Sequence, residues 1–114
     1  MRQIERNMNT AIKSQKNWSS GNTQVITDNG ISRVFLHGNH IANVFDDVAN
    51  GNVKTVVQLF DGGWQSNTTK SRLNALLDEF ATGFSVFQKN WVWFVSDFQG
   101  KNIVDFDNGL QVSD

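Results

Sequence analysis

The chain has 114 residues and a formal net charge of −1, with no cysteine, no proline and no tyrosine. This length predicts one domain spanning residues 1–114. The missing cysteine excludes a disulfide framework and a thiolate metal site, and the near-neutral charge argues against polyanion binding over the whole surface. No apolar run is long enough to cross a bilayer, so no membrane partner is expected.

The first predicted element is an amphipathic helix over residues 2–16. Its apolar residues follow the i, i+4, i+7, i+8 spacing of one helix stripe: Ile4, Met8, Ala11 and Ile12. Residues 17–22 break the helix, because Gly, Ser and Asn favour turns. The segment is basic without a long apolar centre, so we expect no signal peptide and a cytoplasmic location.

Short strands with a two-residue period follow this helix. They are separated by Gly and Asn pairs, which accept the positive φ of tight turns. The predicted strands are 23–28, 31–37, 40–45 and 53–60. Residues 46–52 are predicted as a loop that contains the Asn50-Gly51 turn.

The clearest predicted element is a second helix, over residues 68–81. Hydroxyls between Ser66 and Thr69 can cap its start, and Gly83 suits its end. The apolar stripe comprises Leu73, Leu76, Leu77, Phe80 and Ala81.

Three further strands are predicted after this helix, at 84–88, 91–95 and 103–106. The order of helix, strands, helix and strands favours a mainly β fold with helices. We predict a small, strongly bent antiparallel β-barrel with an N-terminal helix and one inserted helix.

Residues for enzyme chemistry are few. His37 and His40 flank a predicted turn, but the sequence supplies no third metal ligand for them. No phosphate-binding glycine loop and no nucleophile elbow is present. We therefore expect a non-enzyme without metal or cofactor, and a hydrolase using His37, His40 and Asp46 is the minor alternative.

The segment from Phe84 to Phe98 is rich in aromatic residues. Aromatic side chains on a sheet face can stack nucleobases. They also fill cores and subunit interfaces, which is their commoner use. The pattern leaves open whether Trp91 and Trp93 belong to the core, to an interface or to a ligand platform.

Two stretches resemble the motifs of the Sm-like (LSm) RNA-binding fold. The first comprises VFLHG (34–38), VFD (44–46) and DDVAN (46–50), and the second is FQGKNIV (98–104). In that family the two loops meet at the inner rim of a ring and hold bases. The resemblance therefore implies base contacts by Asp46, Asn50, Gly100, Lys101 and Asn102. The basic candidates for backbone contact are Lys70, Arg72 and Lys101, with Arg2 and Arg6 in addition.

Other stretches resemble a family of small proteins from marine phages, including cyanophages, and from ocean metagenomes. They are NWSSGNT (17–23), LHGN (36–39) and GGWQSNTTKSRLN (62–74). This resemblance implies a phage origin, and hence a host cytoplasm, but no particular activity.

Together these features predict a non-catalytic Sm-like homo-oligomer that binds RNA or single-stranded DNA, with a role in RNA or DNA processing. A closed ring removes exposed strand edges and repeats a weak site several times. The alternative is a phage accessory or structural protein that acts only through protein–protein contacts. The near-neutral charge favours this alternative.

Overall fold

The computed structural model describes residues 1–97 and 100–114, which contain two helices and nine strands. The mainly β class with antiparallel sheets is confirmed, as are the N-terminal helix and the inserted helix. In chain order the elements are α1 (Gln3–Lys13), β1 (Trp18–Ser20), β2 (Thr23–Asp28), β3 (Ile31–Leu36), β4 (Asn39–Ala49), β5 (Asn52–Leu59), α2 (Asn67–Phe80), β6 (Ser85–Lys89), β7 (Val92–Ser96), β8 (Ile103–Asp105) and β9 (Leu110–Val112).

A six-stranded antiparallel sheet forms the larger layer. Its order is β1-β2-β3-β4-β5-β9, so most successive strands are neighbours joined by tight turns. Asn29 and Asn50 take φ values of 52° and 53° before a glycine, as the turn prediction requires. Among the described residues this sheet is open, with β1 and β9 at its edges, and is not closed into a barrel.

The sequence did not predict β1 or β9, which have three residues each. So short a segment cannot display a two-residue period. β1 lies in the stretch taken as a helix break, and β9 lies after the last predicted strand, 103–106. Both strands exist because a longer neighbour offers them backbone partners: β2 pairs with β1 and β5 pairs with β9.

Both helices pack on one face of the large sheet, and their predicted apolar stripes are the faces they bury. The start of α2 is capped as predicted, because Ser66 Oγ accepts a hydrogen bond from the Thr69 amide at 3.1 Å. The centre of the core comprises Met8, Ile12, Val25, Val34, Val44, Val57, Leu59, Leu73, Leu76 and Leu77.

The two helices lie side by side and run parallel. Three contacts between the helices occur in the same order along both of them: Glu5 with Arg72, Asn9 with the Ala75 carbonyl, and Lys13 with Glu79. Their N-terminal ends therefore share one end of the molecule, and their C-terminal ends share the other.

β4 and β5 continue beyond the rest of the large sheet as a two-stranded arm, residues 46–55. The pairing of β4 with β3 ends at Val44, and the pairing of β5 with β9 begins at Val57, so the residues between them pair only with each other. The prediction of a loop at 46–52 was therefore wrong for most of that segment. Acidic residues are poor strand formers, but here Thr55 Oγ1 donates to Asp46 Oδ1 at 2.8 Å and Asp47 lies opposite Lys54.

A separate three-stranded sheet, in the order β6-β7-β8, is attached to α2. The Asn74 side chain makes hydrogen bonds of 2.7 and 3.0 Å to the backbone of Val86, which fixes β6 on the helix. Val86, Trp93 and Val95 on the inner face of this small sheet are buried and join the common core.

Candidate nucleic-acid interface

The residues that the Sm-like motifs single out lie on different sheets. Asp46 belongs to the arm, and Asn50 is in the turn at its tip. Gly100, Lys101 and Asn102 lie in the connection between β7 and β8 of the small sheet. The two motif loops therefore do not belong to one continuous sheet.

The connection between β7 and β8 is organised around Asp97. Its carboxylate accepts the Lys101 amide at 2.9 Å and the Asn102 side-chain amide at 2.8 Å. The Gly100 amide donates to the Asp97 carbonyl at 3.0 Å. Lys101 and Asn102 are exposed at the surface. Phe98 and Gln99, which complete this motif, lie outside the described residues.

Arg72, predicted to contact nucleic-acid backbone, is instead buried, with 3% of its surface exposed. Its guanidinium donates to Glu5 Oε2 at 2.9 Å, to Thr23 Oγ1 at 3.0 Å and to Asn22 Oδ1 at 3.1 Å. These bonds join α2 to α1 and to the start of β2. The group is occupied within the fold, so we remove Arg72 from the candidate interface. Lys70 is half-buried in the first turn of α2, and its contact with nucleic acid stays a prediction.

The partner carboxylate of Glu5 was missed by the sequence analysis. Burial by itself raises the pKa of this carboxyl, but hydrogen bonds from the Ser71 hydroxyl, the Arg2 amide and the Arg72 guanidinium outweigh it and hold the pKa below its ordinary value of 4.5. The one signal for Glu5 was its place in the first helical turn, where a glutamate often bonds the cap residue. That position does not reveal burial.

Two of the three side chains considered for hydrolysis, His40 and Asp46, have structural partners, and His37 is exposed in the turn between β3 and β4. The His40 ring lies 5.5 Å from Phe35 and 4.7 Å from Phe60, and its Nε2 is 2.7 Å from Asn43 Oδ1. Asp46 accepts the Thr55 hydroxyl, as described above. Over residues 1–97 and 100–114, no group of three His, Cys, Asp or Glu side chains could hold a metal ion.

The outer face of the small sheet carries a half-buried aromatic pair. The Phe87 and Phe94 rings are stacked with their centroids 5.5 Å apart, and neither is among the side chains packed against the core. The strand register places them in the middle of three rows: Ser85, Ser96 and Ile103; Phe87, Phe94 and Asp105; Lys89 and Val92. We call these eight residues the platform.

Trp91 and Trp93, left open by the sequence, have opposite environments. Trp93 points inward, is 3% exposed and meets Phe106 edge-on at 5.4 Å. Trp91 is 89% exposed and, with Asn90, forms the two-residue turn between β6 and β7 at a φ of 67°. A bulky side chain in this left-handed region is strained, which is a feature often associated with function.

Charges around the platform are balanced. Lys89 is exposed at the end of the platform near Trp91, and Lys101 is exposed in the connection at the other end. Asp105 lies beside Phe94 on the platform, and the Asp97 carboxylate accepts the Lys101 amide. A ligand on this face would therefore meet aromatic surface at the centre and one cation near each end.

The molecule as a whole is a small protein of two antiparallel β-sheets held by a parallel helix pair. Its sequence belongs to the family described as Kyanoviridae Gp96 protein, whose match spans residues 1–113. This family confirms the resemblance to cyanophage proteins. No curated protein and no solved structure matches the chain, so the Sm-like resemblance stays a prediction. Neither described helix is long and apolar enough to span a membrane.

Proposed function

We propose that this phage protein is a non-catalytic module that binds single-stranded nucleic acid, RNA or DNA, on the platform. The stacked, half-buried pair of Phe87 and Phe94 on the outer surface of the small sheet is the observation that carries the proposal. Base stacking on sheet aromatics is tolerant of sequence, because every base has a π-face. Trp91 extends the aromatic surface at one end.

Of the residues suggested by the Sm-like resemblance, this proposal keeps those beside the platform. Lys101, with Gly100 and Asn102 around it, is adjacent to the row of Ser96 and Ile103. Lys101 and Lys89 would contact phosphates at the two ends. Asp46 and Asn50 are left out, because they lie on the arm, which belongs to the other sheet.

Replacing Phe87 and Phe94 by alanine is expected to weaken binding of labelled oligo-U and single-stranded DNA, measured by fluorescence polarisation. Each lost base stack costs about 1–3 kcal/mol, or roughly 5- to 150-fold in affinity. Trp64→Ala is the matched control, since Trp64 is 75% exposed but lies outside the platform. Equal losses in the control and the platform variant, or no loss in either, would contradict the proposal.

The salt dependence tests the lysines separately. The affinity is expected to fall with rising salt, and each lysine–phosphate contact steepens the plot of log affinity against log salt by about 0.7. If Lys89 and Lys101 each contact one phosphate, the slope for the Lys89→Ala/Lys101→Ala variant is shallower by about 0.7 for each lost contact. The aromatic variants would leave that slope unchanged.

A second candidate function is protein binding at the same platform. Val92 and Ile103 are 50% and 54% exposed there, which is apolar surface that bases do not require. Phe94→Leu distinguishes the two candidates, because leucine keeps apolar area and removes the ring. Binding of no oligonucleotide at low salt would favour the protein-binding candidate.

A further inference from the structure

The small sheet has one protected edge and one open edge. At the β6 edge, the Asn74 side chain of α2 donates to the Val86 carbonyl and accepts the Val86 amide, so the outward-pointing backbone groups there are occupied. At the other edge, β8 has no further strand beside it within the described residues. All three residues of β8 are exposed. An exposed edge of this kind is a template for pairing with another strand.

The backbone of β8 points free hydrogen-bonding groups at this open edge. In an antiparallel ladder, alternate residues bond to the neighbouring strand, and the residues between them point the other way. The Phe106 amide donates to the Trp93 carbonyl in β7, so by alternation the amide and carbonyl of Val104 are also directed at β7. Ile103 and Asp105 therefore present their amides and carbonyls to the open edge.

The side chains along this edge are complementary to a second copy of themselves. Ile103 and Asp105 lie on the outer face of the sheet, opposite Ser96 and Phe94. Lys101 precedes Ile103 by two residues, and Asp105 follows it by two. Lys101 and Asp105 are both exposed, and within residues 1–97 and 100–114 neither charge has an ion-pair partner. A cation, an apolar residue and an anion at equal spacing match their own reverse order.

We propose that two copies of this chain form a two-fold dimer by antiparallel pairing of β8 with β8, centred on Ile103. A two-fold contact needs one surface that is complementary to itself. In this register Ile103 lies opposite Ile103 of the partner subunit and exchanges two backbone hydrogen bonds with it. Each Lys101 then lies near Asp105 of the partner subunit. The neighbouring register, centred on Val104, instead places the carboxylate of Asp105 opposite the apolar Ile103 of the partner subunit.

This pairing joins two three-stranded sheets into one continuous antiparallel sheet. Residues directly opposite one another in a sheet point to the same face, so the two platforms lie on one side of the joined sheet. The dimer does not depend on the nucleic-acid binding proposed above, because its backbone groups and charges are present in the free chain.

The first test is the mass of the full chain by light scattering, from low micromolar to millimolar concentration and without nucleic acid. We expect the wild type to approach twice the chain mass. Ile103→Pro is expected to stay monomeric, because it removes the outward-pointing amide. Proline is tolerated on an edge strand at such a position, and circular dichroism verifies the fold. A wild type that is monomeric at every concentration, or a dimeric Ile103→Pro variant, would overturn the proposal.

Exchanging the charges tests the register. Asp105→Lys and Lys101→Asp each bring like charges together at both ends of the contact, so each is expected to raise the dimer dissociation constant by about tenfold. In a mixture of the two variants one contact is native and the other has both charges exchanged, so dimerisation is expected to return. Asp28→Lys, the same change at the exposed end of β2, is the control and should remain dimeric. A mixture no more dimeric than either variant alone would contradict the register.

Because the chain has no cysteine, disulfide trapping gives an independent readout. Hydrogen-bonded residues opposite one another in an antiparallel pair have Cα atoms about 5.5 Å apart, which a disulfide can span. Ile103→Cys chains are expected to cross-link under oxidation. Val92→Cys, which is 50% exposed on the same face, is expected not to. Cross-linking of Val104→Cys chains in preference to Ile103→Cys chains would overturn the proposal. Nucleic acid is absent from all these measurements, so the dimer and the proposed binding succeed or fail separately.

Discussion

Arg72→Ala is expected to lower the free energy of unfolding by about 3–5 kcal/mol, because it leaves a buried carboxylate without its charged partner. Glu5 is only 2% exposed. The same change also removes the hydrogen bonds to Thr23 and Asn22, and with them the link from α2 to the start of β2. Urea unfolding measures the loss as a lower midpoint with an unchanged m-value.

Two controls separate this effect from the general loss of a charge. Lys13→Ala removes the exposed ion pair with Glu79 on the same two helices and should cost less than about 1 kcal/mol. Glu5→Leu/Arg72→Met removes both buried charges and should be less destabilised than Arg72→Ala, because no charge is left unpaired. A loss of under 1 kcal/mol for Arg72→Ala would contradict the role assigned to this ion pair.

The same carboxyl makes stability depend on acid pH. Its pKa in the folded protein is lower than the ordinary value of 4.5, so the unfolded chain binds the proton more readily. The stabilisation by Glu5 is therefore complete above a pH of about 4.5 and is lost as the pH falls through the lower pKa of the folded protein. Wild-type stability should fall more steeply than that of Glu5→Gln over this acid range, as measured by urea unfolding at successive pH values. Parallel curves would exclude the expected contribution.

Trp93→Ala is the second change expected to have a large effect, at about 3–5 kcal/mol of unfolding free energy, because it opens a cavity under the small sheet. Trp93 is buried on the inner face, next to the cross-strand pair of Val86 and Val95, and meets the Phe106 ring edge-on. Thermal and urea unfolding would measure the loss.

Trp91→Gly is the matched control, since it removes the neighbouring tryptophan from the surface. Trp91 is 89% exposed at a φ of 67°, a conformation that glycine adopts without strain. We expect its effect on stability to stay within about 1 kcal/mol. Comparable destabilisation by both substitutions would mean that the two tryptophans do not differ in burial as described.

Much of the site was beyond prediction because its chemistry depends on residues far apart in the chain. Nothing near Arg72 in the sequence distinguishes it from an exposed basic residue at the start of a helix. Its burial requires Glu5, which is on the other helix, and the Asn22-Thr23 pair at the start of β2. The resemblance to Sm-like motifs likewise implied that two loops form one site, whereas in the structure these loops belong to two different sheets.

The aromatic segment shows the same limit at closer range. The pattern predicted strands at 84–88 and 91–95, and the structure has them one residue later, at 85–89 and 92–96. Alternation by itself does not say which face is buried. The attachment of β6 to Asn74 of α2 decides which face is buried. As a result Trp93 points inward, and Phe87 and Phe94 lie on the outer face.

The sequence by itself determined the features that depend on neighbours along the chain. The apolar stripes of both helices, the Ser66 cap and the Asn-Gly turns are of this kind, because propensity and periodicity act over a few residues. Only the tertiary structure decided the buried Glu5–Arg72 pair, the projecting arm, the two short edge strands and the platform on the outer face of the small sheet. Each of these depends on which distant surface covers a residue, and packing across the whole chain sets that coverage.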